Sequence, residues 1–127
     1  MTQPEKRQLI TKSTQYPFST AVIFGNLVFI SGAIGRNPET GQIAGGDVFE
    51  QTKQVLSNLQ NHLIEAGSSL DQSLKVTIFL TDMNNFSRMN DAYRSFFHEG
   101  FPARSCVEVS ALPDKDALVE IEVIAGR

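Results

Sequence analysis

The sequence has one cysteine, no tryptophan, no long apolar run and no excess of basic residues. The single Cys106 excludes an intramolecular disulfide and any zinc site built from several cysteines. Eleven basic against fourteen acidic residues give a net charge of −3, which provides no positive surface for nucleic acid or an anionic membrane. Apolar runs of four residues are too short for a membrane helix or a signal-peptide core. We therefore expect a cytoplasmic protein whose partners include neither nucleic acid nor a membrane.

The remaining composition is that of a folded globular chain. Hydrophobic residues make up 41% and charged residues 20% of the 127 residues, far from the composition of disordered proteins. This length is below the roughly 150 residues typical of one domain, so we predict a single domain over residues 1–127. A core of this size leaves little room for a deep cavity enclosed by one chain alone. We therefore expect a small active site to need a second subunit.

Hydrophobic patterning predicts a sheet with one clear hairpin. Two β-branched or aromatic runs, residues 21–24 and 27–30, are separated by Gly25-Asn26, a two-residue turn signal. Glycines and the Asn-Pro-Glu-Thr-Gly segment indicate a surface loop over residues 32–46. Alternation and turn signals place the other strands at residues 75–80, 104–110 and 119–125, with a short edge strand at residues 8–12.

Two helices are predicted between these strands. Asp47 with Glu50 three residues later forms a capping-box pattern, and Gly67 ends the first helix. The second helix is predicted over about residues 85–99, capped by Asn84 or Asn85 and ended by Gly100. Its predicted packing stripe is aromatic and apolar: Phe86, Met89, Tyr93, Phe96 and Phe97. The order predicts an α+β fold, with both helices on one face of a single mixed sheet.

The last two predicted strands carry side chains of the types that bind substrates and transfer protons. Side chains alternate along a strand, so Arg104 and Cys106 are predicted to face away from the helices, as is Glu120. If these strands are neighbours, the side chains lie close together. Arginine binds a carboxylate through two parallel hydrogen bonds, and a glutamate can deprotonate water. The set suits hydrolysis of a small carboxylate-bearing molecule.

Plainer interpretations of the same residues stay open. An arginine facing a glutamate across two strands is also an ordinary ion pair, and a lone Cys106 is often a packing residue. His62 and His98 show no metal-ligand spacing, so we predict no metal site. Asn90 fits a polar surface position equally well.

The segment Phe-Pro-Ala-Arg-Ser-Cys-Val-Glu-Val at residues 101–109, followed by Val-Glu-Ile-Glu-Val at residues 119–123, resembles the RidA family of imine deaminases, also called the YjgF family. The resemblance extends upstream through Gly-Asn-Leu-Val-Phe-Ile-Ser-Gly at residues 25–32 and the Asn-Pro-Glu-Thr-Gly loop. It also includes Asp-Met-Asn-Asn-Phe at residues 82–86, and covers about residues 16–125 in order. A chorismate-mutase-like fold is therefore implied.

The resemblance implies a homotrimer with ligand sites between subunits and no cofactor. It assigns binding of the substrate carboxylate to Arg104 and positioning of the hydrolytic water to Glu120. The implied reaction converts enamine or imine acids, such as 2-aminoacrylate and 2-iminobutanoate, to 2-keto acids and ammonia. Cys106, Asn90 and the backbone of Ser31 and Gly32 are implied to line the same site.

Two departures from the family pattern bear on activity. Phe18 stands where the active deaminases usually carry a tyrosine, and Ala33 replaces a glutamine. Loss of the hydroxyl removes a hydrogen bond to substrate or water, and whether Tyr16 reaches the same place is open. These departures motivate an alternative function: a non-catalytic trimer that binds small carboxylates and engages another protein. Ribonuclease activity finds no support in the negative charge or in the two histidines.

Overall fold

The computed structural model describes residues 5–127 of the chain. Residues 5–127 form six strands and two α-helices. In order they are β1 (Gln8–Ile10), β2 (Ala21–Phe24), β3 (Leu27–Ile34), α1 (Val48–Glu65), β4 (Ser73–Leu80), α2 (Phe86–Arg94), β5 (Ala103–Glu108) and β6 (Val119–Gly126). Within residues 5–127 no helix is both long enough and apolar enough to span a membrane.

All six strands belong to one mixed sheet with the order β1-β2-β3-β6-β4-β5. Neighbouring strands are antiparallel except for β4 and β5, which are parallel and are joined through α2. A parallel pair needs such a crossover, because a short turn can only reverse the chain. The predicted α+β fold, a single mixed sheet with two helices, is confirmed.

The β2–β3 hairpin forms as predicted. Its turn places Gly25 at φ +60°, whereas no other type of residue has a positive φ among the described residues. Glycine at the first central position, with positive φ there, is typical of a type II′ turn, whose twist matches that of the strands. The predicted edge strand also forms, over the three residues of β1.

The prediction of a loop beginning at Gly32 was wrong. Strand β3 continues to Ile34, and its pairing with β6 shifts by one residue between Ile30 and Ala33. The extra residue is a β-bulge, in which glycine is well tolerated. Backbone pairing with the long β6 strand therefore outweighs the local turn tendency of the glycines.

Helix α1 begins and ends as its sequence predicts. The side chain of Asp47 accepts a hydrogen bond from the Glu50 N–H at 2.9 Å. At the other end Gly67 has φ +82°. Its N–H donates to Ile64, and the Ser68 N–H donates to Leu63. These two bonds form a Schellman motif, which satisfies carbonyls that the helix itself leaves free.

Helix α2 is shorter than predicted, because it ends at Arg94 rather than near Glu99. The Ser95 hydroxyl donates to the carbonyl of Ala92, and the chain then turns away. Packing accounts for the difference: the turn brings the Phe97 ring within 4.6 Å of the Tyr93 ring. Asn85 stands at the N-cap position of α2 as predicted, but its side chain makes no capping bond, and Asp82 caps the short 3₁₀ turn before α2.

The hydrophobic core lies between the sheet and the two helices. Its largest fully buried members come from α1, α2 and the central strands: Leu56, Leu59, Leu63, Ile78, Leu80, Met89 and Ile121. Two polar side chains of α1 hold the loops beside the sheet. Gln51 bonds to the carbonyl of Asp116 and the N–H of Leu118, while Asn58 donates to the carbonyls of Ile34 and Arg36.

No helix within the described part of the chain covers the opposite face of the sheet, which is rich in apolar side chains. Leu9, Phe24, Leu27, Phe29 and Val107 are each 40–51% exposed. We call this surface the open face. Apolar patches of this kind mark surfaces that bind another protein.

Candidate active site

The sequence left open whether β5 and β6 are neighbours, and in the structure they are not. Strand β4 lies between them and pairs with both. Two strand spacings of about 4.8 Å each therefore separate their backbones. The gathering of Arg104, Cys106 and Glu120 around one spot, which required neighbouring strands, does not occur within a single chain.

The predicted face of β5 was wrong. Arg104 and Cys106 pair with Val76 and Ile78 of β4, whose side chains are fully buried on the helix side. Residues paired across neighbouring strands project from the same face of a sheet. Glu120 pairs instead with Phe79, one position out of phase, and so projects from the open face. The arginine and the glutamate thus belong to two separate clefts.

The first cleft, the Glu120 cleft, has a volume of about 630 Å³. Besides Glu120 it is lined by residues of β3, of the segment before β2 and of the two neighbouring loops: Tyr16, Phe18, Ser31, Gly32, Ile34, Arg36, Pro113 and Asp114. Three predicted site residues, Phe18, Ser31 and Gly32, therefore lie with Glu120.

Gly32 makes room for the glutamate. A Cβ added to Gly32 would lie 2.8 Å from Glu120 Oε2, closer than real Cβ contacts. The bulge in β3 brings this glycine beside β6, where Ile34 pairs with Glu120. The need for glycine here is thus a close approach and not a turn.

The surroundings of the Glu120 carboxyl disfavour its ionised form. Burial raises its pKa above the ordinary value, and the negative charge of the nearby Glu122 raises the pKa further. No hydrogen bond or ion pair joins its side chain to another residue in the 5–127 range. A carboxyl with a raised pKa is a better proton acceptor than an ordinary glutamate when ionised.

Tyr16 shares the Glu120 cleft with Phe18. The two rings are stacked, with centroids 6.3 Å apart and an interplanar angle of 13°. Tyr16 thus brings a phenol to the cleft in which Phe18 lacks one. Ser31 has a structural bond here, because its hydroxyl donates to the Ser19 carbonyl at 2.6 Å.

An ion pair joins the loops beside this cleft. Arg36 Nη2 lies 2.6 Å from Asp114 Oδ2, and Arg36 Nη1 donates to the Gly41 carbonyl. The sequence analysis missed both residues of this pair, because they are 78 positions apart and no local pattern connects them. The Arg36 guanidinium is therefore already neutralised.

The second cleft, the Arg104 cleft, lies at the end of α2 and has a volume of about 240 Å³. It contains the predicted residues Arg104 and Asn90 together with Tyr93, Arg94, Phe101 and Pro102. The Arg104 guanidinium lies 4.8 Å from the Tyr93 ring centre and 5.6 Å from that of Phe86. Within residues 5–127 no carboxylate pairs with it. An unpaired guanidinium held by aromatic rings is available to bind an anion.

Cys106 is half-buried beside the core. Burial raises the pKa of its thiol, although the positive charge of Arg104 opposes the shift. A raised pKa leaves little of the nucleophilic thiolate at neutral pH. This environment favours the packing interpretation of Cys106 over the nucleophilic one.

The structure of residues 5–127 contains no group of three or more His, Cys, Asp or Glu side chains that could hold a metal ion. Neither histidine lines the Glu120 cleft or the Arg104 cleft.

The chain is similar to known proteins in sequence and in fold. The family model for endoribonuclease L-PSP matches residues 10–126. A RutC family protein of Pyrococcus abyssi is 50% identical over 111 residues, covering 87% of each chain. The 2-iminobutanoate/2-iminopropanoate deaminase of Capra hircus is 43% identical over 109 residues, covering 86% of this chain and 79% of the goat protein. The crystal structure of Escherichia coli TdcF with bound serine superposes with a TM-score of 0.86 at 38% identity, covering 94% and 98% of the two chains.

Proposed function

The chain belongs to the endoribonuclease L-PSP family, that of the RidA and YjgF proteins, and from this premise we propose that it hydrolyses imine and enamine acids to 2-keto acids and ammonia. The observation that carries the proposal is the pair of clefts, one with an unpaired guanidinium and one with a carboxyl of raised pKa. Deaminase relatives at 43% identity give family-level support.

The proposed active unit is a homotrimer. Arg104 and Glu120 project from opposite faces of one sheet, so one chain cannot place both on a small substrate. The Arg104 cleft of one copy facing the Glu120 cleft of the next would unite them, and such head-to-tail contacts close into rings. The apolar open face supports association, because burial of its exposed side chains stabilises a contact between copies.

In the proposed reaction Arg104 binds the substrate carboxylate through two parallel hydrogen bonds. An enamine gains a proton from solvent at its β carbon, and an imine gains one at its nitrogen, so both react as the protonated imine. Glu120 accepts a proton from water as the water oxygen bonds to the imine carbon, and the electron pair of the C=N double bond moves to the nitrogen. Glu120 then donates this proton to the nitrogen, while the new hydroxyl releases its own proton to solvent as the C=O double bond forms. The carbon–nitrogen bond breaks, ammonia leaves and the 2-keto acid remains.

Each remaining predicted residue has a place in this proposal. Gly32 leaves space for the Glu120 carboxylate, and backbone groups near Gly32 and Cys106 help to hold charge that develops on the substrate. Asn90 lines the wall beside Arg104, while Phe18 supplies an apolar surface beside Glu120. No step requires a cofactor, and we place the reaction in the cytosol.

The test couples the protein to a dehydratase that releases 2-aminoacrylate or 2-iminobutanoate and follows formation of the keto acid. We expect faster formation than the spontaneous rate, and loss of most of this acceleration in Arg104→Ala. The control is Arg88→Ala, which removes an exposed arginine of α2 outside both clefts and keeps the acceleration.

No acceleration by the wild type, or an unchanged rate in Arg104→Ala, would contradict the proposal. Binding of a small carboxylate without turnover would instead favour the regulatory trimer, the function to which the replacement by Phe18 also points. Cleavage of RNA that survives in an Arg104→Ala, Glu120→Ala double variant would show that a different site acts.

A further inference from the structure

The Arg104 cleft contains two buried polar atoms without partners. The Tyr93 hydroxyl and Asn90 Oδ1 are inaccessible to solvent and form no hydrogen bond within the described chain. Both residues lie on α2, three positions apart, and both line the cleft at Arg104. A buried polar group without a partner destabilises the fold, so its retention at a cleft points to a partner that binds there.

The Tyr93 ring is held in place from several sides. Its centroid lies 4.6 Å from that of Phe97 and 6.3 Å from that of Phe101. A third neighbour is the Arg104 guanidinium, at 4.8 Å from the ring centre. With only 3% of its surface exposed, Tyr93 has little freedom to move. The ring therefore fixes where the guanidinium lies.

The hydroxyl is also in the right protonation state to donate. Burial raises the pKa of Tyr93 to about 12, and the positive charge of Arg104 only partly opposes this shift. The phenol thus keeps its proton at all physiological pH values and presents an O–H beside a cation.

We propose that Tyr93 is a further binding residue of this site: its ring orients Arg104, and its hydroxyl donates a hydrogen bond to the carboxylate that Arg104 binds. The inference rests on the proposed function, because it takes the bound anion to be the carboxylate of an imino or keto acid. It assigns Tyr93, whose helical spacing alone indicates a core residue, to the binding site.

The test measures binding of 2-oxobutanoate, a keto acid that the proposed reaction releases, by isothermal titration calorimetry. In Tyr93→Phe we expect Kd to rise about tenfold, the loss of one hydrogen bond to a charged group. The thermal unfolding midpoint should stay the same or rise, because an unpaired buried hydroxyl is removed. In Tyr93→Leu, Kd should rise further, since Arg104 also loses its aromatic support.

Thr52→Val is the matched control. Thr52 is fully buried on α1, its hydroxyl is also unpartnered within residues 5–127, and it lies outside both clefts. This change should leave Kd unchanged and should not lower the unfolding midpoint. A merely structural role for the Tyr93 hydroxyl predicts a lower midpoint and an unchanged Kd in Tyr93→Phe.

The outcomes separate this inference from the proposed function. Wild-type Kd in Tyr93→Phe, with the wild type an active deaminase, overturns only the role of Tyr93. Weaker binding in Tyr93→Phe, with an inactive wild type, supports the role and overturns catalysis. A wild type that neither binds 2-oxobutanoate nor hydrolyses imines overturns both.

Discussion

The Glu120 cleft and the Arg104 cleft are formed by different kinds of structural element. Backbone and loops form the first, in which the bulge at Gly32 and loops held by Gln51 and Asn58 surround one carboxyl. Aromatic side chains of α2 and the segment after it form the second, around one guanidinium. The first raises the pKa of an acid, whereas the second fixes the position of a permanent cation.

This difference indicates that the two faces of the sheet have different roles in the proposed reaction. The arginine of the Glu120 cleft, Arg36, is already paired with Asp114, whereas Arg104 has no carboxylate partner in the described chain. In the proposed reaction the Glu120 cleft supplies proton transfer and the Arg104 cleft supplies anion binding. Because neither cleft contains both groups, the proposed active site needs a second copy of the chain.

The largest effects should come from removing the central group of each cleft, and they should differ in kind. We expect Glu120→Gln to lower kcat by about 10²–10⁴-fold with little change in KM, because a general base is lost. Arg104→Ala should act mainly on KM, because binding of the carboxylate is lost. Steady-state kinetics of the coupled reaction measure both constants. If the two variants show the same changes in kcat and in KM, Glu120 and Arg104 do not have the different roles proposed for them.

A smaller effect should follow from closing the space beside Glu120. In Gly32→Ala the new Cβ would lie 2.8 Å from Glu120 Oε2, so the carboxylate must move. A displacement of about 1 Å in a reacting group costs on the order of 10²-fold in rate. We expect a fall in kcat of that order, measured in the same assay.

The matched control is Gly46→Ala, because a Cβ at Gly46 meets no atom within 4 Å and its φ is not positive. This change should leave kcat unchanged. Equal loss in both variants would show that the close approach at Gly32 has no part in catalysis.

The smallest of these effects should be a shift in pH dependence. Burial and the charge of Glu122 raise the pKa of Glu120, so the ionised base is lost as pH falls through this raised pKa. In Glu122→Gln the like charge is gone, so the pKa of Glu120 should fall and activity should persist to lower pH. The measurement is the acidic limb of the kcat/KM profile, and an unmoved or raised limb would contradict the assignment of Glu120 as the base.

Local elements could be predicted from the sequence, because their signals lie within a few residues. Asp47 with Glu50, Gly67 at the helix end and Gly25 in the hairpin turn each satisfy backbone groups next to them. All three predictions are confirmed. The end of α2 was not predictable in this way, because the packing of Phe97 and Phe101 against Tyr93 depends on the tertiary turn after Arg94.

Local sequence patterns could not predict the arrangement of the site, for two physical reasons. Strand β6 pairs with β3 on one edge and with β4 on the other, so it cannot also lie beside β5. The hydrophobic alternation along β5 predicted the wrong face as buried, because the open face is itself apolar. Val107 lies on this face and is 44% exposed. Alternation assumes that the apolar side of a strand is its buried side, and an exposed apolar face breaks this assumption.

The central claim is that each active site combines Arg104 of one copy with Glu120 of another. Its direct test refolds Arg104→Ala and Glu120→Gln chains together in equal amounts and measures imine hydrolysis against each variant alone. Random mixing should restore about one quarter of the wild-type activity, since a working site needs an intact half from each of two copies. Mixed assemblies with no more activity than the separate variants would contradict the claim.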